Sequence, residues 1–182
     1  TTPSTGRASR TTDGGATWST PFTLNAAATG RNTLAHDIAC GPNGEVYVIW
    51  TMALQTGAQT EDYVGVATST NGGTTYSTTS NAVDINGIRS SSFNGWGIAA
   101  NGFARIAVDK SNGPRRGYIY IVTGQQNLPP AGSEADIVLN RSTDNGATWS
   151  AGIRVNQDGL NNGKVQFMPS ICVDDGGIVH VV

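Results

Sequence analysis

One eight-residue pattern occurs three times in this chain: TTDGGATW from Thr11 to Trp18, STNGGTTY from Ser69 to Tyr76, and STDNGATW from Ser142 to Trp149. Each copy runs hydroxyl residue, spacer, Asp or Asn, spacer, Gly, spacer, Thr, aromatic. A short acidic or amide side chain can bond backbone N–H groups two residues on, and the glycine accepts a positive φ. The aromatic then opens the next strand. Each copy therefore predicts a β-hairpin turn carrying its own side-chain lock. Three hairpins of one design predict a repeat architecture, with all three turns on one face and with Trp18, Tyr76 and Trp149 buried between sheets.

A second pattern lies between the turns. His36–Trp50, Phe103–Val122 and Met168–Val182 each read as an apolar run, a polar turn with Gly, and a second run rich in Val, Ile and Tyr. That is two strands and a turn. With Ile38, Ile106 and Ile171 equivalent, one unit has strands near Asp37–Gly41, Glu45–Thr51 and Tyr63–Thr70, then the patterned turn, then a fourth strand from Tyr76. The next unit repeats this near Arg105–Asp109, Tyr118–Thr123, Asp136–Ser142 and Trp149–Val155. Four antiparallel strands per repeat predict the blade of an all-β propeller. No stretch has helical periodicity long enough to compete.

The turn motif resembles the Asp-box, or BNR repeat, of the sialidase-like β-propellers. Asp13, Gly15 and Trp18 fill its positions in the first copy, as do Asp144, Gly146 and Trp149 in the third. The middle copy departs from it, with Asn71 for Asp and Tyr76 for Trp beside Gly73. These nine residues are expected to be structural. Longer runs such as NGFARIAVDKSNGPRRGYIYIV resemble secreted bacterial BNR-repeat proteins of exo-sialidase type, a likeness over nearly the whole chain. It implies a glycoside hydrolase releasing terminal sialic acid from glycans, at an extracellular or cell-surface location. A non-catalytic propeller binding glycan or protein carries the same boxes, and fold alone does not fix an activity.

On this reading the chain is an arc of two whole and two half blades: the end of one blade over 1–35, whole blades over 36–102 and 103–167, and the start of another over 168–182. Such an arc is too short to close on itself. Either the remaining blades lie elsewhere in a longer parent chain, or two copies complete a six-bladed ring. Open strand edges then predict association of the isolated chain.

Net charge is −2 and 13% of residues are charged, so no basic surface argues for nucleic acid. No apolar run is long enough to span a membrane. Cys40 and Cys172 sit on first strands with a whole unit between them, which predicts free, buried thiols rather than a disulfide. No Cys or His pair has metal-ligand spacing, and no cofactor is expected.

Chemistry is expected on the face opposite the boxes, in loops near Phe22–Ala35, Met52–Asp62, Ser80–Gly102, Gly124–Ala135 and Asn156–Phe167. Glu61 and Asp62 end one loop and Glu134 lies near the end of another. By the resemblance, a carboxylic acid in such a loop could protonate a glycosidic oxygen; the alternative is that these groups are simply solvated. Arg89 and Trp96, in the long Ser80–Gly102 loop, are substrate-binding candidates with Arg31. Arginine can grip a carboxylate in forked geometry, and an exposed aromatic can stack on a sugar. Trp96 could instead pin the loop, and pinning is the expected role of Phe93. His36 and Asp37 could form a proton-transfer pair or merely satisfy a strand end. The sialidase Arg-Ile-Pro motif would place its Arg at Leu34, Gly102 or Phe167, and none is Arg.

Overall fold

A computed structural model describes residues 4–25, 28–88 and 99–182. They form strands β1 (Arg7–Ala8), β2 (Phe22–Thr23), β3 (Arg31–Cys40), β4 (Val46–Leu54), β5 (Glu61–Ser69), β6 (Ser77–Asp84), β7 (Arg105–Val108), β8 (Ile119–Gln125), β9 (Asp136–Ser142), β10 (Ile153–Arg154), β11 (Ile171–Val173) and β12 (Val179–Val181), with no helix among them. The protein is all-β. β3–β6 and β7–β10 are two four-stranded antiparallel meanders, flanked by the two-stranded sheets β1–β2 and β11–β12. We number these sheets one to four in chain order, β1–β2, β3–β6, β7–β10 and β11–β12.

The strand order is the expected one, but β3 starts six residues before Asp37. It passes through a register shift between Leu34 and Asp37, where Ala35 takes a left-handed φ of 48°. An extra residue absorbed this way lets the strand continue. β4 shows why its run is apolar on both faces. Tyr47 and Ile49 point into a core shared with sheet three, while Val48, Trp50 and Met52 point into a core shared with sheet one. Successive strand residues face opposite sides, so a sheet packed on both sides needs both sets apolar. Tyr47 and Tyr120 are buried as second-strand packing residues. The first strands β3, β7 and β11 lie beside one another.

The three patterned turns share one lock. In the first, the Thr11 hydroxyl donates to Asp13 Oδ1 at 2.7 Å and accepts from Gly15 N at 2.9 Å. Asp13 Oδ1 accepts from Thr17 N at 2.9 Å, and Oδ2 accepts from the Thr17 hydroxyl. Ser142, Asp144, Gly146 and Thr148 repeat each bond. The carboxylate thus reaches four residues on, not two. The N–H two residues on from Asp13, that of Gly15, is taken by the hydroxyl at the first position. In the middle turn Asn71 Oδ1 accepts from Thr75 N at 3.0 Å, and its amide Nδ2 donates to Thr75 Oγ1 at 2.9 Å. The threonine hydroxyl changes from donor to acceptor and the lock survives. Two successive left-handed residues complete each turn: Gly14 and Gly15, Gly72 and Gly73, Asn145 and Gly146.

These bonds favour the ionised carboxylates. The Thr148 hydroxyl and N–H hold the Asp144 pKa down to about 2, and the matching Thr17 bonds lower that of Asp13 further. A depressed carboxylate contributes stability above its unfolded pKa, near 3.9, and loses it as pH falls through the folded value. Unfolding midpoints in urea are therefore expected to fall between pH 4 and pH 2. Asp144→Asn, which copies the Asn71 lock, should flatten part of that fall; an unchanged acid limb would refute the assignment.

Each box rests on the sheet before it. Tyr76 stacks on Phe22 of sheet one, 5.7 Å between ring centroids, and Trp149 packs half-buried on the core between sheets two and three. Arg10 Nη1 donates to the Gly72 carbonyl, and Thr68 Oγ1 to the Asn145 carbonyl. The three boxes therefore follow one another along one face. Trp18 departs from expectation: it is 63% exposed. No sheet among the described residues precedes its own. The thiols also depart from it. Cys40 and Cys172 are free but exposed.

Candidate functional site

In a meander, alternate turns lie at opposite ends of the sheet, so the β4–β5 and β8–β9 connections face away from the boxes. Glu61 and Asp62 belong to the start of β5 rather than to the preceding loop. Glu61 is fully buried, and its Oε1 accepts from Gly102 N at 3.1 Å. Its carboxylate fills the space beside Gly87, where any β-carbon would collide with it. Gly87 N also donates to the Glu61 carbonyl, and Asn86 exchanges bonds with the Gln126 backbone. Glu61 thus ties sheet two to sheet three.

Asp62 is held by Arg31. Both Nε and an Nη of Arg31 lie 2.7 Å from Asp62 Oδ2, and the guanidinium sits 5.1 Å over the Tyr63 ring. Glu134 accepts from Gly163 N with both oxygens at 2.9 Å. The structure therefore brings Arg31 and Asp62 together and leaves Glu134 on a separate connection. Arg89, Phe93 and Trp96 lie outside the described residues. His36 packs its ring near Trp50, while Asp37 accepts from Ile38 N and, across to sheet three, from Ile106 N at 3.2 Å. Asp37 serves the joint between sheets.

A denser polar cluster was not singled out from the sequence. Asp136 Oδ1 accepts from Arg154 Nε and Asn156 Nδ2, both at 2.7 Å, and its Oδ2 from Gly132 N. Arg154 also bonds Asp158, which accepts in turn from Asn156 and Asn162. Burial opposes ionisation of Asp136, but the bonds from Asn156, Gly132 and Arg154 outweigh it and keep its pKa below the usual range. Every carboxylate oxygen here has a partner within the protein.

Accessible chemistry sits elsewhere on the same face. Asn101, Phe103, Arg105, Met168 and Pro169 line a shallow cavity of about 160 Å³ where β7 and β11 begin. Arg105 is exposed, and no carboxylate bridges to it among the described residues. Met168 has a left-handed φ of 54°, a conformation that a non-glycine residue holds at a cost. The equivalence of Phe103 and Met168 at the start of first strands was visible in the sequence, but their meeting across two sheets was not. No helix of the described residues is long and apolar enough to cross a membrane. Neither a protein-family model nor a curated protein matches this chain.

Proposed function

We propose that the chain is an arc of an Asp-box β-propeller, extracellular, whose loop face binds an acidic glycan at the cavity of Asn101, Phe103 and Arg105. One observation carries the binding reading. Arg105 is an exposed guanidinium with no carboxylate partner among the described residues, in a loop-face cavity with an aromatic wall, whereas Arg31 and Arg154 are taken up by Asp62, Asp136 and Asp158. A guanidinium offers a carboxylate two parallel N–H donors, and the Phe103 ring offers a sugar an apolar face. The repeating sheets, the locked boxes and the adjacent first strands support the propeller. The motif likeness favours a second reading, a sialidase-like glycoside hydrolase. Against it, Glu61, Asp62 and Glu134 are each engaged by backbone N–H groups or by arginine.

Calorimetric titration with sialyllactose and with lactose separates these. The acidic sugar should bind and the neutral one bind more weakly. Arg105→Ala should weaken the acidic sugar by about tenfold or more, the range for a hydrogen-bonded charge pair. Release of free sialic acid by the same protein would establish the hydrolase instead. Equal binding of both sugars would remove Arg105 from the site.

A further inference from the structure

An asparagine followed by glycine is prone to lose ammonia in water. The glycine nitrogen attacks the asparagine side-chain carbonyl carbon, and no β-carbon on the glycine stands in the way. The chain holds eight such steps, and seven of them lie among the described residues. In a folded protein the attack needs two freedoms. The asparagine amide must turn toward the next nitrogen, and that nitrogen must leave any bond it makes.

Six of the seven side chains are bonded and lack the first freedom. In the boxes, Asn71 Oδ1 accepts from Thr75 N at 3.0 Å and Nδ2 donates to Thr75 Oγ1, while Asn145 Oδ1 accepts from the Tyr47 hydroxyl at 3.0 Å. Asn43 Nδ2 donates to Glu45 and Asn162 Nδ2 to Asp158, both at 3.1 Å. Asn86 Nδ2 donates to the Gln126 carbonyl, and Asn101 Oδ1 accepts from Phe103 N. These last two steps are held twice, since Gly87 N donates to the Glu61 carbonyl and Gly102 N to Glu61 Oε1.

Asn112 is the exception. It is exposed in the turn between β7 and β8, and its side-chain amide bonds nothing among the described residues. Gly113 N donates to the Ser111 hydroxyl at 3.1 Å, a bond within the turn that can open without moving a strand. The turn is flanked on both sides. Arg116 donates to the Pro42 carbonyl of sheet two, and Arg115 to the Gly177 carbonyl of sheet four.

We propose that Asn112 is the site at which the folded chain deamidates. Base in the solvent takes the proton of Gly113 N, and the nitrogen attacks Cγ of Asn112. The new N–Cγ bond closes a succinimide ring, the Cγ–Nδ2 bond breaks, and Nδ2 leaves as ammonia with a proton from solvent. Water opens the ring at either carbonyl, leaving aspartate or isoaspartate. Isoaspartate carries an extra backbone methylene just ahead of Arg115 and Arg116, so it loosens the clasp that joins sheets two, three and four.

The test ages chain 1–182 at mildly alkaline pH, in native buffer and in urea. Mass spectrometry follows each Asn–Gly peptide, and enzymatic methylation counts isoaspartate. In native buffer Asn112 should react about tenfold or more faster than Asn86 and Asn101, since each bond that must open first slows the step by a factor of roughly two to ten. In urea the rates should converge. Gly113→Ala, whose β-carbon would stand 3.2 Å from Ser111 Oγ, should slow the step at 112 and leave the others unchanged. In the purified isoaspartate form the amides of Gly117 and Tyr118, which bond the Asp109 and Arg115 carbonyls, should exchange faster. Asn112 reacting no faster than Asn86 in native buffer, or a spread of rates that persists in urea, would overturn the site. Unchanged exchange in the modified turn would overturn the loosening.

Discussion

Gly65→Val is expected to destabilise the protein by about 3 kcal/mol, the upper range for overpacking a filled core. Gly65 pairs directly with Trp50 across β4 and β5, and the indole lies where a β-carbon at 65 would stand. Trp50 is fully buried, at the centre of the core between sheets one and two. Trp50→Ala alone should cost about 3–5 kcal/mol through the cavity it leaves. The two changes should not add. With the indole gone, the valine has room and fills part of the void, so the double variant should be more stable than the sum predicts. Denaturant unfolding of the four proteins measures this; simple additivity would show that the glycine is not there for the tryptophan.

Asp136→Ala is expected to cost about 3 kcal/mol. It removes the carboxylate that accepts from Arg154 at the end of β10 and from Asn156 and Gly132 on the connections around β9 and β10. Losing one partner of a buried pair costs about 3–5 kcal/mol. The lower end applies because the Arg154 side chain is 16% exposed and keeps Asp158. For a chain of this size the loss corresponds to a melting temperature lower by roughly 6–12 °C. Asp136→Asn keeps the shape and loses the charge, and should fall between the two. Because folding depresses the Asp136 pKa, its contribution is complete above the unfolded carboxylate pKa and fades as pH falls through the folded one.

The locked turns and most strands were legible because their causes are local. An Asp or Asn, a glycine and a threonine at fixed offsets dictate the turn. The apolar run Val46–Ala53 dictates a strand packed on both faces. What was not legible depends on residues far apart. Glu61 reads as a loop carboxylate, yet it is buried because Gly87 and Gly102, much later in the chain, leave space and an N–H for it. Arg31 reads as a free guanidinium until the start of β5 brings Asp62 to it. Trp18 has nearly the same local sequence as Trp149, yet Trp149 has the core between sheets two and three to pack on and Trp18 is exposed. The Arg105 cavity is of this kind as well, since its walls come from two first strands that the sequence holds far apart.

The way each box leans on the sheet before it also sets how this protein comes apart. Every inter-sheet bond named above joins immediate neighbours, so cooperativity passes along the row of sheets from one to the next, as in stacked repeat proteins. Among the described residues, sheets two and three each have a neighbouring sheet on either side. Amide exchange should therefore be slowest in β4, β5 and β8, the most deeply buried strands.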